Sequence, residues 1–214
     1  MNDLISKFSH ELRNVLTGVY STVQLIESRH PEVSEFTYWP AISEDLIFMN
    51  DLITMFSNFA KVERIKLKPI SSKALLEQVS LSFAASIASS QVEYTSKLDA
   101  SLPIINGDDV TLKEVFRNLL KNAYDACLPD KAIYLEASYT DSEVIVQIKD
   151  TGCGIPEEYM PTLFDPFVTH KKDGTGLGLA ISSQVIKMHG GKLEVQSTLG
   201  VGTTFTVSLP RGDY

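Results

Sequence analysis

The sequence predicts an α+β chain, with a helical hairpin first and a two-layer α/β sandwich after it. Three observations point to this. Apolar residues recur at steps of three and four through residues 4–26 and again through 42–60, the period of amphipathic helices. After Lys61-Val62-Glu63 the pattern changes to short alternating segments mixed with helical ones. Two pairs of alternating segments, 132–139 with 143–149 and 192–197 with 203–209, read as hairpins of one mixed sheet, with helices on one of its faces.

The first stripe is Leu4, Phe8, Leu12, Val15, Val19, Val23 and Ile26. His10, Asn14, Thr17, Ser21 and Gln24 fall on the opposite face, because position 10 lies about 200° around the helix from position 12. His10 is therefore expected to face solvent. Pro31 disfavours helix at His30, and the stretch through Trp39-Pro40 reads as a connecting loop. A second stripe, Ile42, Leu46, Met49, Ile53, Phe56 and Ala60, has a/d spacing and can pack antiparallel on the first. Two helices cannot enclose a core. The expected solution is a symmetric dimer whose two hairpins form a four-helix bundle.

The boundary falls near residue 64, giving units 1–63 and 64–214. In the second unit Ile65-Lys66-Leu67-Lys68-Pro69 reads as a short strand, 72–88 as a helix and Gln91–Leu98 as a strand. Asp109–Cys127 is a strongly amphipathic helix with Leu112, Val115, Leu119, Ala123 and Ala126 inward. One further helix is expected at about 177–189, between the two hairpins. A ligand would sit between helices and a loop.

At 214 residues and 43% hydrophobic content the chain can build an ordinary globular core. No run approaches 18 uncharged apolar residues, and Met1-Asn2-Asp3-Leu4 lacks the features of a signal peptide. The segment is expected to be soluble, without membrane contact. Two cysteines, Cys127 and Cys153, form neither a disulfide framework nor a metal-ligand pattern; both read as structural, in a reducing cytoplasm. A net charge of −8 disfavours a broad nucleic-acid surface.

Four strings carry chemistry. Asp150-Thr151-Gly152-Cys153-Gly154-Ile155-Pro156 ends an apolar strand on a carboxylate that is costly to bury without a donor, and an adenine amino group is such a donor. Alone it would be an ordinary strand-ending turn. Gly174-Thr175-Gly176-Leu177-Gly178-Leu179 precedes a helix, whose free amides and dipole suit phosphate oxygens. Its spacing and strandless approach disfavour a dinucleotide fold, and no P-loop is present. Glu114-x-x-x-Asn118-x-x-x-Asn122 sets carboxamides one helical turn apart, suited to a hydrated cation. Phe8-Ser9-His10-Glu11-Leu12-Arg13-Asn14 presents an imidazole that is nucleophilic near neutral pH.

In this order the four strings resemble the H, N, G1 and G2 boxes of sensor histidine kinases of two-component signalling, and the resemblance covers nearly the whole chain. It implies a Bergerat-type ATP-binding fold with ATP and Mg²⁺ as cofactors. Asp150 would read the adenine amine, and Asn122 would hold the Mg²⁺ that bridges the phosphates. The segment from Leu163 to Lys172 resembles the F box and a short ATP lid, in which Lys171 or Lys172 would neutralise phosphate charge. The nucleotide-contacting set is Asn118, Asn122, Asp150, Gly152, Gly154, Lys171, Lys172, Gly174, Gly176, Gly178 and Thr203. In related gyrase, MutL and chaperone ATPases a glutamate that activates water stands where this chain has Asn118, and an amide cannot act as a base. ATP would then be kept for another acceptor.

That acceptor is His10, with Glu11 as its base and Asn14 orienting the water that dephosphorylates a partner regulator. Val15 replaces the family's usual proline, which puts the accompanying helix bend in question. The implied activity is autophosphorylation of His10 from ATP, then transfer to an aspartate of a response regulator receiver domain, by a homodimer. Two alternatives stay open: a non-catalytic histidine phosphotransfer module with a vestigial nucleotide domain, and an ATPase whose lid drives a conformational cycle. His30, His170 and His189 read as exposed loop residues. Only nine residues precede His10, so an input region and the upper part of the first helix are expected to be missing from this segment or absent altogether.

Overall fold

The structure, a computed structural model, describes residues 2–61, 65–127, 131–171 and 175–212; for residues 2–10, 51–52 and 54–61 it describes the backbone alone. The chain divides into two compact units, Met1–Glu63 and Arg64–Tyr214.

The first unit is an antiparallel hairpin of α1 (Asn2–Arg29) and α2 (Trp39–Lys61). The prolines behave differently from each other. Helix α1 stops before His30, and Pro31 opens a 3₁₀ turn, Pro31–Glu35. Pro40, by contrast, sits in the first turn of α2 rather than in a loop. Its missing N–H costs nothing there, because the first amides of a helix have no intrahelical acceptor. The packed seam is narrower than the periodicity suggests. Leu16, Val23, Leu46 and Ile53 are buried with Trp39 against them, and the Trp39 indole N–H donates to Glu27 Oε1 at 2.9 Å. Leu12, Val15, Val19, Ile42 and Met49 stay exposed within one chain. Of the expected α1 stripe Val23 lies in this seam, where Leu16 joins it from outside the expected stripe, while Leu12, Val15 and Val19 face outward.

In the second unit α3 (Ser72–Ser86), α4 (Asp109–Ala126) and α5 (Gly178–Met188) accompany a five-stranded sheet. Its strands are β2 (Glu93–Leu98), β4 (Ala132–Tyr139), β5 (Glu143–Asp150), β6 (Lys192–Thr198) and β7 (Gly202–Pro210), in the order β2-β4-β5-β7-β6. Of the neighbouring pairs in this sheet, β2–β4 is parallel and the other three are antiparallel. A separate antiparallel pair joins β1 (Lys68–Ser71) to β3 (Ile104–Gly107). The first strand thus begins three residues later than expected from Ile65, and β3 is too short and too isolated to announce itself by alternation.

Alternation along the strands builds the core. Ile133 and Leu135 of β4, Val144, Val146 and Ile148 of β5, and Phe205, Val207 and Leu209 of β7 turn one apolar face to the helices, which return Leu76, Leu112, Val115, Phe116, Leu119 and Ile186. Helix α4 is held at its start by Asp108, whose Oδ1 accepts the Val110 and Thr111 amides, both at 3.1 Å. Burial works against ionising Asp108, but amide donors from Thr111, Lys66 and Val110 outweigh it and hold the carboxyl below its usual range.

His189 is a correction. It is buried, not an exposed loop residue. Its Nδ1 lies 2.8 Å from the Val185 carbonyl, and its Nε2 accepts the Asp108 amide at 2.9 Å. The imidazole joins the end of α5 to the start of α4, and burial lowers its pKa. A helix-terminal histidine beside Gly190-Gly191 gives no local sign of that partner, which is 81 residues away in sequence.

Candidate nucleotide-binding site

The period-two alternation that buries Val144, Val146 and Ile148 carries Asp150 onto the same inward face. Strand pairing then places Thr203 beside it, since Lys149 is opposite Thr204 in the β5–β7 register. Asp150 is 2% exposed. Its Oδ1 accepts the Gly152 amide at 2.8 Å and the Thr203 amide at 3.3 Å. Among the described residues no donor reaches its other carboxylate oxygen. Burial raises the Asp150 pKa, against the two amides and the charge of Lys171, which lower it.

The glycines around this carboxylate are required by backbone approach. A Cβ on Gly152 would stand 2.4 Å from the Ala126 carbonyl oxygen, and one on Gly154, at φ +69°, would stand 2.1 Å from that of Thr198. The loop is held from three sides. The Cys153 amide donates to Ala126 at 3.1 Å, the Gly200 amide to Cys153 at 2.7 Å, and the Ile155 amide to Ser197 Oγ at 2.8 Å. Ser197 Oγ also meets Thr203 Oγ1 at 2.9 Å. Cys127 fits a structural role: burial, then the charge of Asp150, push its thiol up to about 11. Cys153 differs in being exposed.

Helices α4 and α5 are joined at Asn118. Its Nδ2 donates to Ser182 Oγ at 2.9 Å, and Ser182 Oγ donates to the Gly178 carbonyl at 2.8 Å. A Cβ on Gly178 would lie 2.6 Å from Asn118 Oδ1, so glycine permits this approach. The start of α5 has no side-chain cap, the kind of helix start that suits an anion. Just before it, Gly176 at φ +67° crosses the F box; its carbonyl accepts the Phe167 amide at 3.1 Å, and Phe167 itself has φ +66°. A bulky residue held there marks strain at the root of the lid.

The lid returns to α4 through Lys171. Its Nζ lies 3.1 Å from Asn122 Oδ1 and 3.0 Å from Asp125 Oδ2. His170 stacks on Tyr159, with ring centroids 3.4 Å apart and planes 8° from parallel.

The structure therefore gathers Asn118, Asn122, Asp150, Gly152, Gly154, Lys171, Gly176, Gly178 and Thr203 in one unit. Lys172 and Gly174 lie outside the described residues. Glu11 and Asn14 are exposed on α1; His10 lies in the backbone of α1, and its side chain is outside the described residues. Sequence reasoning missed Asp125, Ser182, Ser197 and Gly202. Gly202 had a legible signal in Leu199-Gly200-Val201-Gly202, because at φ +140° its Cβ would fall 2.1 Å from the Asp150 carbonyl. The three polar residues had none, since serines and an aspartate on a helix or strand are usually solvated.

A mixed sheet carrying helices, with a buried strand-end carboxylate and an uncapped helix start, defines a nucleotide-binding α/β sandwich. The chain belongs to the family of histidine kinase-, DNA gyrase B- and HSP90-like ATPases, which it matches over residues 107–213. It is 33% identical over 211 residues to the signal transduction histidine-protein kinase AtoS of Escherichia coli, covering 98% of this chain and 35% of AtoS. It is 32% identical over 226 residues to the sensory histidine kinase/phosphatase NtrB of Rhizobium meliloti, covering 97% of this chain and 58% of NtrB. Among solved structures, full-length ShkA in complex with AMPPNP has a TM-score of 0.82 at 26% identity over 99% of this chain and 46% of ShkA. The nucleotide-free catalytic domain of histidine kinase ThkA has a TM-score of 0.62 at 28% identity, over 68% of this chain and 95% of that domain. The chain thus carries a catalytic ATP-binding domain of the sensor histidine kinase type. The chain spans about a third of AtoS and somewhat over half of NtrB. Among the described residues no helix is long and apolar enough to cross a membrane.

Proposed function

We propose that this chain is the kinase core of a sensor histidine kinase, which binds Mg²⁺·ATP in residues 64–214, phosphorylates His10 in residues 1–63, and passes the phosphoryl group to an aspartate of a response regulator. The observation that carries the reading is Asp150. A carboxylate with one oxygen held by two amides and the other without a donor among the described residues is costly in a buried site. An adenine exocyclic amine supplies the missing donor. ShkA, similar along nearly all of this chain, was solved with an ATP analogue, which supports the same ligand here.

The residues present fit nucleotide and metal. The uncapped start of α5 accommodates phosphate oxygens, and the Lys171 ammonium already places a positive charge on Asn122. When bound, Mg²⁺ would neutralise phosphate charge and lower the barrier to phosphoryl transfer. Asn118, donating to Ser182, carries no base with which to activate water. His10 attacks the γ-phosphorus: a nitrogen–phosphorus bond forms, the bond from phosphorus to the β–γ bridging oxygen breaks, and ADP leaves. Glu11, the next residue, takes the imidazole proton. The exposed residues Leu12, Val15, Val19, Ile42 and Met49 would be covered in a homodimeric four-helix bundle.

The test is incubation of the protein with γ-labelled ATP and Mg²⁺. Acid-labile, alkali-stable label on the parent and none on His10→Gln, with nucleotide affinity preserved, is the expected result. Steady hydrolysis without a phosphoprotein would overturn the reading.

A further inference from the structure

The lysine of the lid and two side chains of α4 form an arrangement that the motifs do not contain. Asn122 and Asp125 are three residues apart, so they project from neighbouring positions on one helix face. Lys171 reaches both, with its Nζ 3.1 Å from Asn122 Oδ1 and 3.0 Å from Asp125 Oδ2. An ammonium supplies donors and no acceptor, so this position already selects for positive charge. The carboxamide oxygen it occupies is the atom assigned above to Mg²⁺. A cation ligand and an internal cation cannot share one oxygen at full strength.

We propose that Asp125 is a further residue of the divalent-cation site, and that Lys171 is the internal counterion which holds the site in the nucleotide-free protein and is displaced when Mg²⁺·nucleotide binds. This rests on the nucleotide-binding reading given above. Both ligands are oxygens, the kind that Mg²⁺ takes, usually in small number and with retained waters. Asp125 adds a formal charge that Asn122 lacks, either directly or through one of those waters. Lys171 is half-exposed, and the ion pair it makes is a surface pair. Such pairs are weak, which suits a contact that must open in each cycle.

Calorimetry with AMPPNP on the full chain, in saturating Mg²⁺ and in excess chelator, tests the assignment. The readout is the ratio of the two dissociation constants, which reports metal coupling rather than turnover. Asp125→Asn should reduce the chelator Kd divided by the Mg²⁺ Kd about tenfold, the scale of losing a supporting carboxylate at a metal site. Lys171→Met should tighten Mg²⁺·AMPPNP binding by about two- to fivefold, because the competing surface pair is gone. Both side chains lie at the surface, so neither change should prevent folding. An unchanged ratio in Asp125→Asn would overturn its part in the site, and weaker Mg²⁺·AMPPNP binding by Lys171→Met would overturn the counterion and make that lysine a phosphate clamp. Failure of the parent to bind AMPPNP at all would overturn the nucleotide-binding reading together with this one.

Discussion

Asp150 and Thr203 lie 53 positions apart in sequence, and the Thr203 amide donates to Asp150 Oδ1 at 3.3 Å. That bond joins the end of β5 to the start of β7, and with the Gly152 amide it fixes one carboxylate oxygen; among the described residues no donor reaches the other.

Replacing Asp150 by Asn should weaken nucleotide binding by about 2 kcal/mol, roughly 30-fold in Kd, through loss of a charge-assisted bond. Asn Oδ1 can still accept both amides, so the unfolding midpoint should not fall. Titration calorimetry and urea unfolding check the two halves; an unchanged Kd removes Asp150 from the adenine site.

His189 predicts a pH dependence. Its Nε2 must be unprotonated to accept the Asp108 amide, and burial, the largest influence, lowers its pKa from the ordinary 6.5. A histidine with a lowered folded pKa contributes stability that is fully present above the unfolded value. It is lost as pH falls from there through the folded value. Asp150, with its raised pKa, acts in the opposite sense as pH falls. The comparison is therefore between parent and His189→Gln, in urea midpoints at about pH 7.5 and about pH 5.5. The parent should lose more stability than the variant on acidification, and equal losses would mean that His189 is not the group responsible.

The exposed stripe on the hairpin predicts association. Val15 is 67% and Val19 45% exposed in the single chain, on the same side of α1 as Leu12. Light scattering should give a dimer at tens of micromolar, and Val19→Glu should shift it towards monomer. A monomeric parent would show that this hairpin lacks the association energy by itself.

Asn14 is exposed one turn beyond His10, and in the proposed reaction its amide would orient water near a docked regulator. Asn14→Ala should keep autophosphorylation and slow regulator dephosphorylation about tenfold, the scale of one transition-state contact. Decay of a phosphorylated regulator measures it, and equally fast decay with parent and variant would remove Asn14 from the reaction.

The glycine turns, the amphipathic α4 and the two late hairpins were determined by the sequence alone, because each is specified locally. Glycine permits positive φ and close approach, and apolar periods of 3.6 and 2 select helix and strand. Asp150 was legible for the same reason, as the last inward position of an alternating strand. The packing of α1 was only half legible. Periodicity shows that Leu12, Val15 and Val19 share a face with Val23, yet it cannot say which of them the hairpin itself covers. Tertiary structure decided that, just as it decided the burial of His189, the brace from Asn118 to Ser182 and the bridge from Lys171 to Asp125. In each case the partner lies tens of residues away, and the register that brings them together is set by the packing of whole helices and strands. No residue's near neighbours in sequence carry that information.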